Sequence, residues 1–135
     1  MWSRVVRLLW PGPWTLVGVI LAPFFRTRSV TRGVLLCEGA EWPRRFGWRY
    51  RAITLGHVVL AVDELDPQTL RHELVHVRQY ERWGPLFVFV YLLVSVRARL
   101  GGGDAYRDND FEVAAREGAA EEVLDPQVGG RNLLH

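Results

Sequence analysis

The stretch DPQTLRHELVHV, residues 66–77, decides the fold, because it places two histidines four residues apart. On a helix, His72 and His76 lie on one face one turn apart, so both ring nitrogens can reach one metal ion. Glu73 follows His72 by about a hundred degrees of helix rotation, which sets its carboxylate where it can take a proton from water. We therefore expect a zinc site on this helix. The alternative is a chance match on an ordinary amphipathic helix.

The boundaries of this helix can be predicted from its flanking residues. Asp66 is a good N-cap, Pro67 suits the first helical position, and Trp83-Gly84-Pro85 predicts the end. The face opposite the two histidines is apolar and predicts a packed core, and it carries Leu70, Leu74 and Val77. Metal binding and packing therefore use different faces.

Short segments rich in β-branched, aliphatic and aromatic residues precede this helix. Residues 30–37, 48–55 and 57–62 predict antiparallel strands, while the run 14–25 is compatible with a further strand or a buried helix. These three or four strands would form a small sheet.

Two further helices are predicted after the histidine helix. The first is the apolar segment 85–99, which Gly101-Gly102-Gly103 closes, and the second runs from about Asp108 to Glu122. The order of elements predicts an α+β fold, with a small antiparallel or mixed sheet of three to four strands followed by about three helices.

The chain of 135 residues predicts one main domain. We assign residues 1–25 to a basic, tryptophan-rich apolar N-terminal segment, residues 26–124 to the main domain, and residues 125–135 to a flexible tail.

Composition indicates the cellular compartment and the partners. The single cysteine, Cys37, allows no internal disulfide, which is compatible with a reducing compartment and with the cytoplasmic location that we expect. Residues 1–51 carry nine arginines against two acids, but no nucleic-acid recognition module accompanies them, so we expect no nucleic-acid partner. The apolar runs 14–25 and 86–95 are shorter than the ~20 residues that a spanning helix needs. Membrane-surface contact through Trp2, Trp10, Trp14 and the arginines stays open as an alternative.

A catalytic zinc site usually has three protein ligands. Of the other histidines, His57 is explained as a strand residue at the sheet edge, and His135 lies in the tail. Glu112 is the stronger candidate, because it opens the third helix between apolar neighbours that would turn it inward. The alternative is a first-turn glutamate stabilised by the helix dipole.

The pattern HELVH at residues 72–76, followed downstream by NDFEVAA at residues 109–115, resembles the gluzincin branch of the zincin metallopeptidases. The resemblance covers roughly residues 48–122. Because the chain is short, it is similar to minimal, single-domain gluzincins. It implies a zincin-like fold, Zn²⁺ bound by His72, His76 and Glu112, and Glu73 as general base. It also suggests that residues 57–62 form the edge strand that binds an extended peptide or protein substrate.

Two positions depart from the family pattern. Large gluzincins carry an aspartate one turn after the glutamate ligand, and this chain has Arg116 there, so support for the ligands would come from Asp104, Asp108 or Asp110. The oxyanion is normally stabilised by a tyrosine or histidine, and Tyr106 is our candidate. The sequence thus predicts a zinc metallopeptidase, with a catalytically inactive zinc-binding or interaction protein of the same fold as the alternative.

Overall fold

The computed structural model describes residues 3–47 and 50–124, which form an α+β fold. The first residues of the strand predicted over 48–55, and the predicted tail 125–135, lie outside the described residues. The described part contains six α-helices and four strands: α1 (Arg4–Leu9), α2 (Gly12–Leu21), β1 (Thr27–Thr31), β2 (Val34–Glu38), α3 (Trp42–Arg45), β3 (Ala52–Leu55), β4 (Val58–Ala61), α4 (Pro67–Trp83), α5 (Phe87–Leu100) and α6 (Asp110–Leu124). Short 3-10 turns follow α2 and α4.

The sheet is mixed, with the strand order β1-β2-β4-β3. Strands β1 and β2 are antiparallel, β2 and β4 are parallel, and β4 and β3 are antiparallel. Of the antiparallel and mixed sheets that the sequence left open, the structure has the mixed one, because the chain returns through α3 and β3 to lay β4 beside β2.

The single strand predicted over residues 30–37 is also wrong, because this segment is the middle of a hairpin. Arg32 and Gly33 have φ angles of 50° and 74°, and they turn the chain between β1 and β2. Two successive residues with positive φ are the backbone of a tight hairpin turn. The Arg32-Gly33 pair within a run of β-branched and aliphatic residues was the sequence signal for this turn.

A third correction concerns the strand predicted at the sheet edge. Strand β4 lies between β2 and β3, and all four of its residues are buried. The edge strand on this side is β3. A continuous apolar run such as Val58–Ala61 is typical of a strand that is covered on both faces, and not of an edge.

The histidine helix α4 forms as predicted. The side chain of Asp66 accepts a hydrogen bond from the backbone N–H of Thr69, and Pro67 opens the helix. Leu74 and Val77 pack into a core cluster with residues of β2 and β4, and Leu70 packs against the same cluster. This packing fixes the opposite face of α4, which carries the histidines, relative to the sheet.

The run 14–25 is helical over most of its length, which resolves the alternative that the sequence left open. Helix α2 packs against β3 and β4, so the N-terminal segment shares the core of the sheet. Gly18 makes this approach possible, because a Cβ atom there would lie 2.6 Å from Cβ of Val58.

Helices α4 and α5, with the 3-10 turn between them, form one helical segment, Pro67–Leu100. An 18-residue window of this segment has a mean hydropathy of 1.4 and is 11% buried, so by length and composition the segment could cross a membrane. The sequence analysis counted the two apolar runs separately, and each of them is shorter than this segment. It considered the apolar run of α5 without the helix that leads into it.

Candidate metal centre

Helices α4 and α6 pack side by side and bring together two imidazoles and one carboxylate. Nε2 of His72 lies 3.0 Å from Oε2 of Glu112, and Nε2 of His76 lies 3.3 Å from Oε1. The two Nε2 atoms are 3.2 Å apart. Glu112 and His76 are buried, and His72 is partly exposed. The three residues that the sequence singled out as ligands therefore meet at one point, where they could hold a metal ion.

The donor set fits a small divalent cation. Two nitrogens that bind a tetrahedral zinc ion at about 2.0–2.1 Å would be roughly 3.3 Å apart, close to the separation of the two Nε2 atoms. Two imidazoles and a carboxylate are also a ligand set that catalytic zinc sites use. Two imidazole nitrogens that face each other and a carboxylate need a cation or a proton between them. A bound cation satisfies all three groups at once.

The charges at this centre are strongly coupled. Burial would lower the pKa of His76, but the hydrogen bond and the negative charge of Glu112 raise it above its ordinary value. Burial would raise the pKa of Glu112, but hydrogen bonds from His72 and His76 hold it well below its usual range. Glu112 is therefore a carboxylate at neutral pH, the form that binds a metal ion.

The residue that orients His76 is Gln79, which the sequence analysis did not identify. Nδ1 of His76 donates to Oε1 of Gln79 at 2.8 Å, while the amide nitrogen of Gln79 donates to the carbonyl of Phe111 at 3.0 Å. In the neutral form with its proton on Nδ1, which Gln79 favours, His76 directs the lone pair of Nε2 to the metal position. Gln79 lies one turn after His76, and this spacing was the signal that could have indicated it.

The acids expected to support the ligands have another role. Asp104 accepts hydrogen bonds from the backbone N–H groups of Tyr106 and Arg107, and Asp108 accepts one from the backbone of Asp104. They shape the loop between α5 and α6. Asp110 is exposed at the start of α6. The side chains that contact the candidate ligands are instead Gln79, which bonds His76, and Tyr91, which bonds Glu112.

Tyr91 is a second residue that the sequence analysis missed. Its hydroxyl donates to Oε1 of Glu112 at 2.6 Å. Within the apolar stretch 84–96, Tyr91 and Ser95 are the only residues with polar side chains, and they are four residues apart. That spacing places them on one face of α5, which was the available signal for a contact with the site.

Asn109 holds that face of α5 against the start of α6. Its side-chain nitrogen donates to the backbone carbonyl of Tyr91 at 3.1 Å and to Oγ of Ser95 at 2.7 Å. Its side-chain oxygen accepts from the N–H of Phe111 at 2.9 Å. This fully buried residue therefore begins α6 and positions the helix that carries Glu112.

Glu73 is buried, and its carboxylate faces a cavity of about 340 Å³ beside the metal-binding group. Oε2 of Glu73 accepts a hydrogen bond of 2.7 Å from the hydroxyl of Thr54 on β3. The cavity is lined mostly by apolar and aromatic side chains from α2, β3 and α5, together with Glu73, His76 and Glu112. The carboxylate is thus held at the wall of an apolar cleft, next to the ligands.

Tyr106 also lines this cavity and is 40% exposed. Burial, the charges of Glu112 and Glu73 and a hydrogen bond to Glu112 raise the pKa of its hydroxyl, which therefore stays protonated at neutral pH. The structure places the predicted oxyanion residue within the same cleft as the ligands and the carboxylate of Glu73.

His57 lies away from the site, as the sequence predicted, but it is not on a sheet edge. It occupies the tight turn between β3 and β4, is 7% exposed, and its Nε2 lies 2.9 Å from Oε1 of Glu81 on α4. This contact ties the turn to the histidine helix.

Comparison with known proteins gave no match, since no family model, curated protein or solved structure resembled the chain closely enough.

Proposed function

We propose that the protein is a zinc-dependent peptidase with a zincin-like active site. The observation that carries this proposal is the convergence of two imidazoles and a carboxylate beside the buried carboxylate of Glu73, at the wall of one cleft. A site kept only for stability needs ligands but no carboxylate base beside them.

When bound, zinc would polarise the carbonyl of a peptide bond and lower the pKa of water. His72, His76 and Glu112 would hold the ion, and Gln79 and Tyr91 would orient the ligands. Glu73 would take the proton from water and pass it to the leaving amine. The protonated hydroxyl of Tyr106 would donate to the oxygen that becomes negatively charged.

Strand β3 is the candidate binding site for the substrate. All four of its residues line the cavity, and it pairs with β4 on one side only among the described strands. An edge strand can bind an extended peptide through main-chain hydrogen bonds with little selection of side chains. The proposed substrates are therefore peptides or flexible protein segments.

The first test measures the zinc content of the purified protein by elemental analysis. We expect one equivalent in the wild type, and an affinity lower by orders of magnitude in His76→Ala and Glu112→Gln. Glu117→Gln is the matched control, because Glu117 is an exposed glutamate on the same helix. A folded wild-type protein that takes up no zinc on reconstitution would overturn the proposal.

The second test measures cleavage of a library of fluorogenic peptides. Glu73→Gln should retain zinc but lose cleavage by at least about a hundredfold, the contribution typical of a general base. Zinc binding without any cleavage by the wild type would favour the second candidate, an inactive zinc-binding protein. One observation favours this second candidate: Oε2 of Glu73 already accepts a hydrogen bond from Thr54, which leaves that oxygen less available to accept a proton from water.

A further inference from the structure

Helices α2 and α5 present a large apolar surface that nothing in the described structure covers. Leu16 and Ile20 on α2, and Phe89 on α5, are each 61% exposed, and Leu93 on α5 is 69% exposed. We call the outer faces of these two helices the apolar helix surface. A helix that is apolar on all sides is normally buried in a core or in lipid.

The two helices belong to one continuous region. The indole N–H of Trp14 on α2 donates to the carbonyl of Pro85, just before α5, at 3.0 Å. Trp14 also lines the same cavity as Val88 and Leu92 of α5. Both outer faces therefore flank the cleft that holds the candidate metal centre.

The charged residues within the chain segments that form this surface are all positive. Residues 1–37 and 82–103, which contain α2 and α5, include no aspartate or glutamate, although the chain has 15 acids. Arginines follow each helix or lie in its last turn: Arg26 and Arg28 after α2, and Arg97 and Arg99 in α5. All four are exposed, and one of them, Arg26, also lies 3.6 Å from Glu41. An apolar surface with a cationic border complements a bilayer that contains anionic lipid.

We propose that an anionic lipid bilayer covers the apolar helix surface. An 18-residue window of the helical segment that includes α5 has a mean hydropathy of 1.4 and is 11% buried, so most of this apolar window is exposed. A second copy of the chain is the competing occupant, but a symmetric pair would bring the same arginines together. Anionic headgroups would instead neutralise them.

The apolar helix surface would lie along the bilayer, and α5 would not cross it. The inner face of α5 is fixed to the rest of the protein, because Tyr91 and Ser95 contact Glu112 and Asn109. A helix with one face bound to the protein and the other exposed and apolar is suited to lie in the plane of the membrane interface. The cleft would then open at the membrane surface.

Flotation of the full-length protein with vesicles tests this proposal. The protein is added to vesicles of phosphatidylcholine with or without phosphatidylglycerol, and the fraction that floats is measured. We expect binding to both, stronger with phosphatidylglycerol, and a decrease of about tenfold in Leu93→Glu. The double variant Arg97→Gln and Arg99→Gln should weaken the preference for phosphatidylglycerol and leave binding to phosphatidylcholine unchanged.

Val30→Glu is the matched control, because Val30 is 75% exposed on β1, outside the two helices. It should float like the wild type. Failure of the wild type to float would overturn the proposal. So would a stable dimer that Leu93→Glu dissociates, because a second copy would then cover the surface. Zinc content measured on the same samples separates this result from the test of the metal centre.

Discussion

Gln79 orients His76, and it does so from a position that also contacts the helix of Glu112. Its Oε1 accepts from Nδ1 of His76 at 2.8 Å, and its amide nitrogen donates to the carbonyl of Phe111, the residue before Glu112. One side chain therefore bonds both a candidate ligand on α4 and the backbone of α6 next to Glu112.

Replacing Gln79 by alanine should weaken zinc binding without unfolding the protein. The loss of a partner that orients a metal-ligating histidine typically costs 10- to 100-fold in affinity. Competition with a chelator of known zinc affinity would measure it. Gln68→Ala is the control, since Gln68 is exposed on the same helix. Equal affinities in the two variants would show that His76 needs no support from Gln79.

Tyr91→Phe and Tyr106→Phe should have different effects, because Tyr91 is held on the inner face of α5 whereas Tyr106 is partly exposed at the cleft. Tyr91 donates to Glu112 at 2.6 Å, so its loss should reduce zinc affinity about tenfold. Tyr106 lies at the exposed side of the cavity, so its loss should lower kcat by about a hundredfold or more and reduce zinc affinity less than the loss of Tyr91 does. Zinc titration and peptide cleavage on both variants would separate these roles.

A reversed result, with kcat sensitive to Tyr91 and zinc affinity sensitive to Tyr106, would assign oxyanion stabilisation to Tyr91. Loss of both properties in one variant would instead indicate a displaced α6. Circular dichroism of each variant distinguishes that case.

The features that the sequence predicted correctly depend on local signals. Asp66 and Pro67 begin α4 through contacts within one turn, and the histidine spacing is a property of a single helix. Glu112 was identified because the residues on either side of it are apolar and occupy the first turn of α6. These features need no knowledge of the tertiary arrangement.

The strand that the sequence wrongly placed at the sheet edge depends on the order of strands in the sheet, whereas the missed hairpin at Arg32 and Gly33 is a local turn. Whether Val58–Ala61 lies at an edge is decided by its parallel pairing with β2, which is distant in the chain. The supporting contacts of Tyr91 and Gln79 likewise depend on the packing of α4, α5 and α6. Composition and periodicity carry little information about such packing.

Asn109→Ala should lower both the stability of the protein and the affinity of the metal centre. The change removes the N-cap of α6 and leaves the carbonyl of Tyr91 and the hydroxyl of Ser95 without their donor. Loss of a cap and of buried hydrogen bonds should reduce the free energy of unfolding by about 2–4 kcal/mol. Urea denaturation of the metal-free protein would measure it.

Ser95→Ala provides a graded comparison, because it removes only one of the three partners of Asn109. It should cost about 1 kcal/mol. If Asn109→Ala costs no more than Ser95→Ala, the cap contributes little and α6 is held by its packing on α4.

Gly56 and Gly33 form a matched pair that tests how α2 docks on the sheet. Both have positive φ angles, 62° and 74°, which an alanine adopts at a cost of about 1–2 kcal/mol. A Cβ atom at Gly33 meets nothing within 4 Å, whereas a Cβ atom at Gly56 would lie 2.7 Å from the backbone nitrogen of Thr15 on α2. The hydroxyl of Thr15 also accepts a hydrogen bond from the N–H of His57 at 3.1 Å.

Gly56→Ala should therefore lose about 2 kcal/mol more stability than Gly33→Ala, because the added methyl group clashes with α2 where the backbone cannot yield easily. Urea denaturation of the two variants under identical conditions would give the difference. The displacement of α2 should also expose Trp14 and shift its fluorescence to longer wavelength in Gly56→Ala alone. Equal costs and equal spectra in both variants would mean that α2 does not pack closely on the β3–β4 turn, and that the cleft lacks its wall from Trp14.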